Sequence, residues 1–274
     1  MTDSTIHIFQ NKAWYFLSIY YSRDKWPELI SQIEQFCNDR QEQFSDCLIS
    51  LSEERGEHIR MALSSLDCIG DYQPEITAFF RSYLKVNPSF SIQPVLYGKT
   101  IWCNYPNNTL VWNRFRLWDH TDRYIRLHQD TFQLVLKLLE NDHSSDNIFS
   151  LGIYLFTKGL SCIDDNERMD ALSRALCEIS NEFAPFNYSN TAKELMNKLD
   201  LREVDEAIEL YLNEDENSYS SELINWLDKS KAGVKFYGYR YFCSLICQII
   251  GLTGLRQIMI LELMDMWYNR TYNE

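Results

Sequence analysis

The chain has 274 residues, is 45% hydrophobic and 14% aromatic, and carries a formal net charge of −13, so it can bury a sizeable core and shows no segment of disordered composition. That charge argues against a nucleic-acid binder that works by neutralising phosphates, although it leaves room for a partner with a local basic patch. Eight scattered cysteines without a C-x-x-C pair or ligand-like histidine spacing argue against zinc; behind a short polar N-terminus they read as small hydrophobes of a reduced, cytoplasmic protein.

After a polar leader (residues 1–10), residues 13–21 (AWYFLSIYY) read as a buried strand because they are aromatic and branched throughout. Asp24 offers a cap to the next helix, with Pro27 in its first turn and Leu29, Ile30, Ile33, Phe36 and Cys37 on one face. Residues 46–52 read as a strand, 53–57 (EERGE) as a charged turn and 58–64 as a second strand, together a hairpin. Pro74 opens a helix over 75–85. Strand, helix, strand, strand, helix is the order of a ferredoxin-like α+β unit. Residues 87–116, punctuated by Pro88, Pro94, Gly98 and Pro106, predict short strands at 92–97, 100–103 and 109–116. This region is crowded with aromatics: Tyr97, Trp102, Tyr105, Trp112, Phe115 and Trp118.

From residue 119 the pattern turns helical, beginning with 120–140, where Tyr124, Leu127, Thr131, Leu134, Val135 and Leu138 recur at helical spacing. Further helices are predicted at 144–162, 166–181, 191–199, 202–213 and 219–229, then in the terminal stretch 239–270. That stretch is apolar almost all round as far as Leu255, and Arg256 interrupts it too soon for a membrane span. Gly251 and Gly254 predict a break within it, and Trp267 and Tyr268 predict a tail pinned into a core. No flexible linker separates the halves. The expectation is a single α+β body over residues 1–274: an N-terminal ferredoxin-like mixed sheet (1–118) followed by a mostly helical half (119–274).

The sequence contains no Gly-rich phosphate loop, no Gly-x-Ser-x-Gly elbow and no His-Glu-x-x-His motif. On the strand 58–64, His58, Arg60 and Ala62 share one face. A histidine beside an arginine suits a carboxylate, with the arginine as a bidentate clamp; the alternative is a solvated hairpin face. His128 and Asp130 fall on different faces of their helix, where His128 reads as a capping or core-edge residue. Asp265 and Asn269 are i, i+4 neighbours beside Arg270, and such groups ordinarily satisfy one another or a loop. The acidic run 200–228 reads as a solvated face, with docking of a basic partner as the alternative.

Four segments resemble, in order, the motifs of one family: the C-terminal, glutamate-eliminating domain of class I lanthipeptide dehydratases and its stand-alone thiopeptide-type bacteriocin biosynthesis relatives. Residues 14–20 (WYFLSIY) resemble the family's first strand, and 56–61 (GEHIRM) its Gly-Pro-His-Leu-Arg-Leu-Arg strand. Residues 127–131 (LHQDT) resemble its Phe-His-x-Asp-Ser helix, and 264–270 (MDMWYNR) its terminal His-Met-x-x-Asn-Arg signature. The resemblance implies removal of glutamate from a glutamylated Ser or Thr to leave a dehydroamino acid. That chemistry takes a base, donors for the enolate-like charge and a carboxylate clamp, with no metal or organic cofactor. Some stand-alone relatives instead form a pyridine by formal cycloaddition between two dehydroalanines.

The implied partners are a ribosomal precursor peptide, leader and core, and a separate glutamylating dehydratase subunit, with no direct nucleic acid and no membrane span; a homodimer stays open. The implied catalytic residues are Arg60, Arg114 and Asp265, with His58, His128, Asp130, Asn269 and Arg270 binding substrate. Three departures bear on this. Asp265 stands where the family has His, Ala62 where it has a second Arg, and residues 105–112 lack the Glu and Arg of its Tyr-Glu-x-Glu-x-x-Arg-Tyr segment. Aspartate is a weak base near neutrality, so a leader-binding subunit without catalysis stands beside the lyase and cyclase readings.

Overall fold

The computed structural model describes residues 7–68, 70–90, 104–117, 119–140 and 142–272; the strands expected at 92–97 and 100–103, with Tyr97, Trp102 and Trp118, lie outside them. The chain divides into two compact units, Met1–Phe132 with Asn141–Ser144, and Gln133–Glu140 with Ser145–Glu274.

The first unit begins inside the segment read as a polar leader. β1 (His7–Phe9) reverses into β2 (Lys12–Tyr20) through Gln10 and Asn11, both at positive φ (49° and 59°), as a two-residue hairpin turn requires. Then come α1 (Trp26–Asn38), β3 (Asp46–Ser52), β4 (His58–Ser65), α2 (Gln73–Val86) and β5 (Thr109–Trp112). β2 lies between β4 on one side and β1 and β5 on the other, and β3 pairs with β4; every pairing is antiparallel. With β5 in place this is the strand order of the expected ferredoxin-like unit, but the sheet is antiparallel among the described strands and not mixed as expected. Asp24 does not cap α1. Its carboxylate accepts from the Ser22 hydroxyl, and a 3₁₀ turn at Arg23–Lys25 leads into the helix, which carries Pro27 near its start.

The register assigns the two faces of the sheet. Ile59, Met61 and Leu63 of β4 lie opposite Ile19, Leu17 and Tyr15 of β2, all nearly or fully buried. Trp112 shares this face through its pairing with Leu17 and donates its Nε1–H to Thr77 of α2 at 3.1 Å, which marks the face the helices cover. Phe36 of α1 and Phe80 of α2 meet there with ring centroids 5.3 Å apart. The opposite face carries Trp14, Phe16, Ser18 and Tyr20 beside Ser64, Ala62, Arg60 and His58. Phe115 and His120 pack over its aromatic end, 5.4 Å from Phe16 and 5.1 Å from Trp14.

α3 (Asp122–Leu139) begins in the first unit and ends in the second. The second unit continues with α4 (Ser145–Ser161), α5 (Asp165–Glu182), α6 (Tyr188–Met196), α7 (Leu201–Leu212), α8 (Ser221–Tyr237), α9 (Tyr239–Ile250) and α10 (Gly254–Tyr272). Asp200 caps α7 by accepting from the Arg202 amide, and Ser220 caps α8 by accepting from that of Leu223. The predicted break between α9 and α10 falls at Gly251, whose φ of 77° favours glycine. Trp267 and Tyr268 are buried, as expected of a pinned tail. On α4 the buried Lys158 ammonium donates to the Tyr211 carbonyl at 2.7 Å and pairs with Glu214 at 2.8 Å, which compensates its desolvation. Among the described residues no helix is long and apolar enough to cross a membrane.

Candidate functional site

The first unit contains a cavity of about 390 Å³ lined by Tyr20, Glu54, Arg55, His58, Arg60, Tyr105 and Arg114. It therefore joins three of the residues singled out in the sequence, His58, Arg60 and Arg114, and adds four others.

The floor comes from the sheet face described above. Tyr20 ends β2 directly opposite His58 at the start of β4, and the two rings stack with centroids 4.4 Å apart. One wall is the β3–β4 turn, whose outer glutamates bind away from the cavity. Glu53 and Glu57 both pair with Arg23, and the Arg23 amide donates to Glu57 at 2.9 Å. Glu54 and Arg55, between these anchors, line the cavity. Arg55 has φ 61° and Gly56 φ 114°; a Cβ at Gly56 would lie 3.3 Å from the Tyr105 carbonyl, so this tight reversal needs glycine on two counts. The Tyr105 amide donates to the Arg55 carbonyl at 2.8 Å, which places its ring over the turn. Tyr105 then sits 4.7 Å from the Tyr20 ring, with the guanidinium groups of Arg55 and Arg114 at 4.8 and 5.7 Å from its own centroid.

Arg60 is held by three groups. Its Nε donates to His58 Nε2 at 3.2 Å, Nη2 binds Glu54, and the guanidinium lies 5.5 Å from the Phe115 ring. Arginine only donates, so His58 Nε2 must be the acceptor and the proton sits on Nδ1, which donates to the Gly56 carbonyl at 2.9 Å. Burial, and then the Arg60 charge, lower the His58 pKa to about 3, so the ring is neutral. Both its nitrogens are engaged, so it orients Arg60 and has no lone pair for a substrate proton. The solvated-face alternative does not hold, since His58 is only 1% exposed. Burial raises the Tyr20 hydroxyl to about 12, which keeps it protonated and able to donate.

The other expected residues belong to α3 and α10. His128, on α3, is 1% exposed, and burial lowers its pKa to about 3; its ring is 5.9 Å from Tyr124. Asp130 is half-buried on the same helix and does not line the cavity. Asp265, Asn269 and Arg270 belong to α10 in the second unit. There Asp265 accepts from Ser173 at 3.1 Å and from Asn269 at 3.0 Å, while Arg270 pairs with Asp205 at 2.7 Å. Among the described residues no group of three or more His, Cys, Asp or Glu is placed to hold a metal.

No family model matches the sequence, and no curated protein matches it. Among solved structures the chain is similar to the pyridine synthase TbtD from thiomuracin biosynthesis, with a TM-score of 0.59 and 16% identity over 95% of this chain and 99% of that one. At that identity the likeness establishes a common fold along nearly the full length of both chains.

Proposed function

We propose that this protein acts in the maturation of a ribosomally made peptide, and that its arginine cavity grips a carboxylate on that peptide. The reaction proposed first is elimination of glutamate from a glutamylated Ser or Thr. The observation that carries it is Arg60, held by His58 with its guanidinium facing a cavity that two further arginines line. Forked guanidinium groups match a carboxylate, and three of them counter the charge of a departing glutamate. The α-proton must go to a base, and neither His58 nor Tyr20 can take it, for the reasons given above. Glu54 is engaged by Arg60. The sequence resemblance nominates Asp265 for this role, with Asn269, Arg270, His128 and Asp130 as further substrate contacts.

A second reading is cyclisation of a peptide already carrying two dehydroalanines. It is favoured by the end-to-end fold likeness to a pyridine synthase and by the shortage of a base among the described residues that line the cavity.

One assay separates these readings. Purified protein is incubated with an O-glutamylated precursor peptide, or with a bis-dehydroalanine peptide, and products are followed by mass spectrometry. The elimination reading expects loss of glutamate from the first. The cyclisation reading expects ring formation with release of the leader from the second. Binding of either without product makes this a leader-binding subunit. Arg60→Ala abolishes whichever activity appears while leaving the circular dichroism unchanged; full activity in that variant removes the cavity from the mechanism.

A further inference from the structure

We infer that Glu54 makes the arginine cavity selective for a ligand that carries an ammonium group beside its carboxylate, so that a glutamyl group is recognised at both of its free ends. The inference rests on the glutamyl-ester reading above. Glutamate esterified through its α-carboxyl to a Ser or Thr keeps two charges, the α-ammonium and the γ-carboxylate, separated by two methylenes. A cavity lined by arginines alone would take any small dianion equally well. Among the described residues this one is lined by three arginines and one carboxylate, the charge pattern of a site for a zwitterion.

The geometry lets Arg60 serve both partners. Its fork has five N–H groups; His58 takes one and Glu54 another, so the same guanidinium can hold Glu54 and a ligand carboxylate together. Glu54 meets Arg60 through one oxygen, Oε2. The Glu54 side chain is 69% exposed and that of Arg60 14%, so Glu54 is the partner that can swing to follow a ligand. It swings from a fixed base, because Glu53 and Glu57 on either side are tied to Arg23. The Tyr20 and Tyr105 rings, tilted against one another with centroids 4.7 Å apart, supply an apolar wall suited to the two methylenes. With no ligand present, the Glu54 carboxylate occupies part of the arginine's donor set, as an internal competitor for anions that bring no cation of their own.

Titration calorimetry with two small esters tests this. Glutamic acid α-methyl ester carries the ammonium and the γ-carboxylate, whereas glutaric acid monomethyl ester lacks only the ammonium. The wild-type protein is expected to bind the first about tenfold more tightly, the size of one charge-assisted hydrogen bond. Glu54→Gln is expected to remove that preference and to bind the monomethyl glutarate more tightly than wild type. Arg60→Lys weakens both ligands. Equal binding of the two esters by the wild type, or a preference that survives Glu54→Gln, overturns the role of Glu54 and leaves the carboxylate cavity standing. If the wild type binds neither ester, both this inference and the glutamyl reading fall.

Discussion

At the scale of single residues, His58 shows how a motif can be legible while its role is not. Alternation along β4 places His58 and Arg60 on one face, and the structure agrees. The role expected for His58 was substrate binding, but its ring is used up between Gly56 and Arg60. Tyr20, Glu54 and Arg55 went unread, and Tyr105 stood out only as one of a crowd of aromatics, because the four meet through the strand register and a backbone hydrogen bond rather than through spacing. The pairing of Tyr20 with His58 was within reach once the hairpin and first strand were in hand; that of Tyr105 with Arg55 was not. A neutral, locked His58 has a consequence for pH. Its pKa, like that of His128, is lowered from 6.5 to about 3, so below pH 6.5 the unfolded chain binds protons that the folded one does not. Stability is therefore complete above about 6.5 and falls as pH drops toward 3, by up to about 1.4 kcal/mol per pH unit for each histidine. Urea midpoints measured from pH 4 to 8 should rise and then level near 6.5, with a shallower rise in His58→Phe. Carboxylate binding by the wild type should show no step near 6.5; a step there would mean that His58 titrates freely and does not hold Arg60.

At the scale of elements, the ferredoxin-like order and the helical half were readable because strand alternation and helical periodicity are strong over long segments. β1 was not, since three residues joined by a Gln-Asn turn carry none of the usual Asn-Gly signal. α8 runs eight residues beyond its expected end at 229, its later turns lacking a clear apolar stripe in sequence. Helix propensity also misleads at Gly159 of α4, where alanine would be the better helix former by about 1 kcal/mol. A Cβ there would lie 2.1 Å from a ring carbon of Phe242 on α9, a side chain that is itself 2% exposed. Gly159 is what lets α4 and α9 approach. Gly159→Ala should therefore lower stability by about 1–3 kcal/mol net in urea unfolding, and Gly159→Ala combined with Phe242→Leu should recover most of the loss. A stabilised Gly159→Ala would show that the two helices do not pack this closely.

At the scale of the whole molecule, the cavity's positive lining sits in a chain of net charge −13, and the two act on an anionic ligand over different distances. The net charge repels such a ligand across many ångströms of solvent and is screened by salt, whose Debye length falls from about 10 Å at 0.1 M to about 3 Å at 1 M. The proposed Arg60–carboxylate contact, by contrast, would be made at hydrogen-bond distance in a partly enclosed space where salt screens poorly. Composition alone spoke only of the first effect, and argued only against a nucleic-acid binder that neutralises phosphates; the second depends on a turn and two strand ends that bring three arginines together. For a glutamyl-bearing peptide whose own net charge is negative, adding salt should then speed association while changing dissociation little, so that affinity holds or improves from about 0.05 to 0.5 M. A cavity whose attraction dominated at long range would do the opposite. Stopped-flow fluorescence, with Tyr20 and Tyr105 in the cavity wall as reporters, gives both rate constants. An association rate that falls steeply with salt would mean that the local positive field, not the net charge, governs how the peptide arrives.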